Sequence, residues 1–135
     1  MADQQKKKIL VIEDDQYLRD LYVEILQMEG FDVEKAVDGE QGYMAMHNGG
    51  YDLVLLDIML PKMDGLHILE KLVQETPPIR PNGPVVVLSN LGQDAAIAQA
   101  VSLGARGYMI KSDHTPDQVI AKVKEYLNGT KEPNA

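Results

Sequence analysis

Leu53-Val54-Leu55-Leu56-Asp57 is the stretch on which the reading of this 135-residue chain turns. Four apolar residues in a row, with no polar alternation, read as a strand buried on both faces, the kind found in parallel sheets covered by helices. The carboxylate that closes the run then emerges at the C-terminal edge of the sheet, where open α/β sheets bind their ligands. A second run, Ile9-Leu10-Val11-Ile12, ends the same way, in Glu13-Asp14-Asp15. Acidic groups gathered at one edge repel one another unless a cation or a proton intervenes. The two strand ends together predict a metal-dependent site centred on Asp57.

Outward from these strands, apolar runs alternate with amphipathic stretches. Leu18, Leu21, Tyr22 and Ile25 fall on one helical face that stops near Gly30, and Phe31 to Ala36 reads as a short strand. Asp38-Gly39 signals a turn before a helix over 40–48, which Gly49-Gly50 breaks. Asp64 is placed to cap a helix carrying Leu66, Leu69, Leu72 and Val73. Thr76 to Gly83 holds three prolines and must be a loop, followed by the strand Pro84 to Ser89 and an Ala-rich helix over 93–103. Gly107 to Lys111 is the last strand. Thr115-Pro116-Asp117-Gln118 then offers a Thr cap, Pro at the first helical position and Gln three residues after the cap, opening a helix faced by Val119, Ile120, Val123 and Leu127. Five β-α units in series imply a single α/β domain, a doubly wound parallel sheet with helices on both faces.

Composition narrows the function classes. The length suits one domain with a sizeable core. A net charge of −8 argues against direct binding to nucleic acid or to anionic membranes, since phosphate contacts need Lys and Arg. The one basic cluster, Lys6-Lys7-Lys8, reads as a solvated lead-in. With no cysteine, there is no disulfide, thiolate metal site or Cys nucleophile. No apolar stretch reaches membrane-span length and no signal peptide opens the chain, so a cytoplasmic location with no membrane contact is expected. His47, His67 and His114 share no ligand spacing, and the seven methionines read as core gap-fillers.

The strand ends deliver a particular set of groups. Glu13, Asp14 and Asp15 follow the first strand, Asp57 the third, Ser89 the fourth and Lys111 the fifth. Carboxylates alone suit Mg²⁺, a hard ion that takes oxygen ligands and keeps several waters. A hydroxyl and an ammonium added to them suit a phosphoryl group, with charge neutralised by metal and lysine and a hydrogen bond from serine. Asp carboxylates also accept phosphoryl groups covalently. Asp15 is as well placed to cap the first helix as to touch metal.

In this arrangement the chain resembles the CheY-like receiver domain of two-component response regulators. The matching segments are Ile9 to Asp15, Leu56-Asp57-Ile58-Met59-Leu60-Pro61-Lys62-Met63-Asp64-Gly65, Val87-Leu88-Ser89-Asn90, and Gly104 to Lys111, in order along the chain. The resemblance implies a flavodoxin-like sheet of strand order 2-1-3-4-5, with a lead-in at 1–8, the receiver at 9–128 and a frayed tail at 129–135. It also implies that Asp57 accepts phosphate from a sensor histidine kinase, a phosphotransfer protein or a small phosphodonor. Asp14, Asp57 and the backbone carbonyl of Met59 would ligate Mg²⁺, with Glu13 acting through water. Ser89 would swing toward the phosphoryl group, Lys111 would pair with it, and Tyr108 matches the aromatic switch position. A downstream protein partner is expected on the fourth helix, fifth strand and last helix.

Three departures from the family pattern stand out. Ser112 stands where a cis proline is common, Asn90 where a small residue is usual, and Met59 and Leu91 are apolar where the family tunes phosphoryl lifetime. Neither Met59 nor Leu91 orients a hydrolytic water, so slow self-dephosphorylation is expected. The leading reading is a phosphorylation-dependent signalling switch that is not a multiple-turnover enzyme. Its alternatives are a phosphate-independent receiver-like adaptor and a receiver fragment of a longer regulator with an output domain. A Mg²⁺-dependent phosphatase would need an acid/base group beside Asp57, and Ile58-Met59 supplies none.

Overall fold

The computed structural model describes residues 6–129. Its elements alternate as expected: β1 (Lys8–Ile12), α1 (Gln16–Met28), β2 (Asp32–Ala36), α2 (Gly39–Asn48), β3 (Leu53–Asp57), α3 (Gly65–Gln74), β4 (Val85–Ser89), α4 (Asp94–Ser102), β5 (Gly107–Ile110) and α5 (Pro116–Leu127). The strands form one parallel sheet in the order β2-β1-β3-β4-β5. Most of the lead-in at 1–8 and all but the first residue of the tail at 129–135 lie outside the described residues.

Strand alternation divides the core into two layers. Leu10, Ile12, Val54, Leu56 and Val87 face Met46 of α2, Ile68, Leu69 and Leu72 of α3, and Ile97 and Ala100 of α4. Their neighbours Ile9, Val11, Leu53, Leu55, Val86 and Leu88 face Tyr22 and Leu26 of α1 and Val119, Ile120 and Val123 of α5. Every residue of β3 is buried, which is why its sequence is a continuous apolar run. At the sheet's edge β2 has only Ala36 fully buried and so reads as mostly polar.

Helix starts follow their side-chain caps. Asp15, Asp38, Asp64 and Thr115 each accept a hydrogen bond from the backbone three residues on, and Thr115 and Gln118 complete a capping box. Two expectations need correction. On α3 the buried residues are Gly65, Ile68, Leu69 and Leu72, while Val73 is 59% exposed, because the packed stripe lies about one residue ahead of the face read from the leucines. Met46 and Met109 do fill the core, but Met28, Met44 and Met59 are exposed. Met28 and Met44 stand on outward positions of α1 and α2, and Met59 lies in the loop between β3 and α3, so none of the three meets the core.

Candidate functional site

Because the strands are parallel, Glu13, Asp57, Ser89 and Lys111 arrive at the same edge of the sheet. Each is placed by local backbone chemistry. The Glu13 N–H donates to the Ala36 carbonyl at 3.2 Å, extending the β1–β2 ladder by one step. Asp15 caps α1 by accepting from the Leu18 N–H at 3.1 Å, which resolves its two readings in favour of the cap. Its own N–H donates to Glu13 Oε2 at 3.1 Å. On the other side, the Met59 N–H donates to Asp57 Oδ1 at 3.2 Å.

The loop between β3 and α3 is drawn in tightly. The Gly65 N–H reaches the Ile58 carbonyl at 2.8 Å, and a Cβ on Gly65 would sit 2.7 Å from the Asp57 carbonyl oxygen, too close for any larger residue. The Gly39 N–H holds the Pro61 carbonyl at 3.0 Å. Lys62, the one non-glycine residue with positive φ (73°) among the described residues, sends its Nζ to within 3.5 Å of Asp38 Oδ2.

At the centre, Lys111 Nζ lies 2.8 Å from Glu13 Oε1 and 2.9 Å from Asp57 Oδ2. Glu13 is fully buried and Asp57 is 2% exposed. Glu13, Asp14 and Asp57 each bring one carboxylate oxygen to within 4.8 Å of the others, and Asp14 is the exposed member. One ammonium against three carboxylates leaves the group short of positive charge. Burial, reinforced by the charge of Asp57, pushes the Glu13 carboxyl up to about 7 against the pull of Lys111. Burial alone would lower Lys111, but its hydrogen bonds and charge contacts with Asp57 and Glu13 prevail and hold it above the usual lysine range. Burial, with Glu13 nearby, also lifts the Tyr22 phenol to about 12. The groups open into a cavity of about 930 Å³ whose walls include Asp14, Met59, Asn90, Lys111 and Ser112.

These donors fit a hard divalent cation. Three carboxylate oxygens converge, no softer ligand competes, and burial together with the charge of Asp57 raises the Glu13 carboxyl. Among the described residues this is the one such cluster, and the three histidines take no part.

Ser89 sits differently from its partners. It is fully buried at the end of β4, outside the cavity walls, and its Oγ finds no hydrogen-bond partner among the described residues. A buried hydroxyl left unpaired costs about 1–3 kcal/mol, so its persistence calls for an explanation. Tyr108 pairs with Val87 in the sheet register and is 52% exposed, so it does not fill a core position. Asn90 lines the cavity and its N–H donates to Gln93 Oε1 at 2.6 Å. Leu91 is 74% exposed. The peptide between Lys111 and Ser112 is trans, and residues Lys111–Asp113 form a short 3-10 turn.

Sequence reading missed Arg19. It is only 9% exposed, and its Nη1 donates to the carbonyls of Glu13 at 3.0 Å and Asp14 at 3.3 Å. The available signal was its spacing: Arg19, Tyr22 and Leu26 make up the buried stripe of α1.

Comparison with known proteins agrees with this geometry. The family model described as response regulator receiver domain matches residues 9–124. The chain is 39% identical over 108 residues to the chemotaxis protein CheY of Treponema pallidum, covering 77% of this chain and 72% of that protein. It is 33% identical over 128 residues to the probable transcriptional regulator ycf27 of Cyanophora paradoxa, covering 95% of this chain and 51% of that one. It therefore spans about half the length of that regulator. Among solved structures, a CheY-like response regulator receiver domain protein from Methanospirillum hungatei superposes with a TM-score of 0.80 at 29% identity, covering 93% of this chain and 96% of that one. No helix among the described residues is long and apolar enough to cross a membrane.

Proposed function

The chain belongs to the response regulator receiver family and is a phosphorylation-dependent signalling switch; from that premise we propose that Asp57 is its phosphoacceptor and that residues 9–128 form the switching unit. The observation that carries this reading is the Asp57 carboxylate, nearly buried, held by Lys111 at 2.9 Å inside an acidic cluster at the mouth of an open cavity. A carboxylate there is desolvated enough to react and reachable by a donor.

In the proposed step, an oxygen of Asp57 attacks phosphorus, a P–O bond forms, and the bond from phosphorus to the donor's nitrogen or oxygen breaks. The leaving group departs with its electron pair and takes a proton from solvent. Asp14, Asp57 and the Met59 carbonyl would hold Mg²⁺, with Glu13 joining through water; bound there, the ion would neutralise charge on the phosphoryl oxygens. Lys111 already sits on the Asp57 carboxylate and needs little movement to pair with a phosphoryl oxygen. Ser89 supplies a hydroxyl whose hydrogen-bonding capacity is unspent. Its turn toward the phosphoryl group would free space for the Tyr108 ring to leave solvent, biasing the surface of α4, β5 and α5 toward a downstream protein partner. The phosphodonor is a sensor histidine kinase or phosphotransfer protein, in the cytoplasm.

Met59 lines the cavity with an apolar side chain and Leu91 is apolar too, so neither orients a hydrolytic water and we expect a phosphoryl lifetime of minutes or longer; loss within seconds would contradict that. Incubation with acetyl phosphate and Mg²⁺, read by intact mass, tests the whole scheme. Wild type should take up one phosphoryl group and Asp57→Asn none. Wild type that stays unlabelled would favour a phosphate-independent adaptor.

A further inference from the structure

Arg19 lies outside the set of residues that would touch metal or phosphate, yet its side chain grips the backbone carrying two of them. Its guanidinium is nearly buried, and a single nitrogen, Nη1, donates to the carbonyl of Glu13 at 3.0 Å and to that of Asp14 at 3.3 Å. The Asp14 carboxylate is exposed, so its place in the cluster is set through its backbone. The bend that carries it is held at three further points: the Ala36 carbonyl, Glu13 Oε2 on the Asp15 N–H, and the Asp15 cap on α1. Arg19 supplies the hold that spans the Glu13–Asp14 peptide itself.

We propose that Arg19 is a positioning residue for the divalent cation: by fixing the Glu13 and Asp14 carbonyls it aims the Asp14 carboxylate into the cluster with Glu13 and Asp57. The inference rests on the reading of that cluster as a Mg²⁺ site. Two effects of Arg19 oppose each other, and their signs separate them. A positive charge seated on the backbone that carries Glu13 and Asp14 opposes a second cation there, so as a mere charge its removal would tighten cation binding. As a support for a ligand its removal would loosen binding, by about tenfold to a hundredfold, the usual cost of losing an outer-shell partner. Burial of a long aliphatic stem, the ordinary reason for an arginine on a packed helix face, predicts no change in cation affinity.

Calorimetric titration of MgCl₂ into the full chain decides between them, with Arg19→Met, Arg19→Lys and Asp57→Asn beside wild type. Arg19→Met keeps the apolar stem and should weaken Mg²⁺ binding about tenfold or more. Arg19→Lys keeps a single nitrogen with several donors but reaches one bond less far toward the two carbonyls, so it should fall between the two. The Mg²⁺ concentration for half-maximal acetyl phosphate labelling should rise by the same factor, while the rate at saturating Mg²⁺ stays within about twofold of wild type, because the reacting groups are untouched. Unchanged or tighter Mg²⁺ binding by Arg19→Met overturns the proposal. If thermal unfolding shows that variant unfolded, Arg19→Lys carries the test, and wild-type affinity there overturns it equally. Wild type that binds no Mg²⁺, or Asp57→Asn that binds it as well as wild type, would instead bring down the metal reading beneath.

Discussion

The two ends of the sheet treat polar groups in opposite ways. At the N-terminal end, where the 76–83 segment returns to the sheet, polar side chains pair with groups distant in the chain, although the buried His47 Nδ1 finds no partner among the described residues. The Lys8 N–H meets Asp52 Oδ2 at 2.7 Å, and the Tyr51 hydroxyl meets Glu34 at 2.6 Å. Asn82 accepts from the Tyr51 N–H and donates to the Met46 carbonyl, while Gly83 closes on the Tyr51 carbonyl. At the C-terminal end Glu13 and Asp57 share one lysine, the Glu13 carboxyl is forced up to about 7, and Ser89 is buried with its hydroxyl unpaired. The first end is built for stability. The second holds like charges and an unused donor where a cation and a phosphoryl group would satisfy both.

The contrast predicts opposite signs for substitutions at the two ends. The largest effect should come from Asn82→Ala, which strands two partly buried backbone groups. It should cost about 2 kcal/mol in urea unfolding and leave phosphoryl labelling unchanged; a neutral result would remove the claim that this end is tightly built. Asp57→Asn should go the other way. It relieves the repulsion on Glu13 while leaving Lys111 a carboxylate partner at 2.8 Å, so in Mg²⁺-free buffer stability should hold or rise by about 1 kcal/mol. A loss of more than about 2 kcal/mol, as for a broken buried pair, would mean that Asp57 is structural.

Ser89→Ala sharpens the same point. Deleting an unpaired buried hydroxyl should leave stability unchanged or raise it by about 0.5–1 kcal/mol. Labelling on Asp57 should persist, but the phosphorylated and unphosphorylated forms should become alike in partner binding or in amide exchange over α4 and β5. The smallest signal is a slope. Glu13 has a folded value near 7, above the ordinary 4.5, so between those values the folded protein holds the extra proton. Its contribution to stability is present at low pH and is lost as pH rises through 7. In Mg²⁺-free buffer stability should therefore drift down between pH 5 and pH 8 through this group, and Glu13→Gln should flatten the drift. Mg²⁺ affinity should run the opposite way, weakening below pH 7 as the carboxyl is protonated.

Much of this was legible in the sequence because buried parallel strands are continuous apolar runs. The residue that follows each run then marks the C-terminal edge of the sheet, and Asp57, Glu13, Ser89 and Lys111 were placed there that way. The cap of α5 was equally plain, since Thr115, Pro116 and Gln118 act within one turn. What stayed hidden acts at a distance. Asn82 sits in a stretch read only as a proline-rich loop, and its partners are Tyr51 and Met46, more than thirty residues away. Arg19 drew no reading from the sequence, although it falls three residues before Tyr22 and seven before Leu26 on what proves the buried stripe. The Asp38-Gly39 pair fits a turn and a helix cap equally well, and the structure makes it the cap of α2.

The central claim is that Asp57 carries the signal, and locating the phosphoryl group tests it most directly. Wild type labelled by acetyl phosphate with Mg²⁺ would be digested under acidic conditions and its fragments sequenced by mass spectrometry. The predicted result is one phosphoryl group, confined to the fragment containing Leu53 to Asp57 and placed on the aspartate. A phosphoryl group on Ser89, on a histidine or on another carboxylate would contradict it.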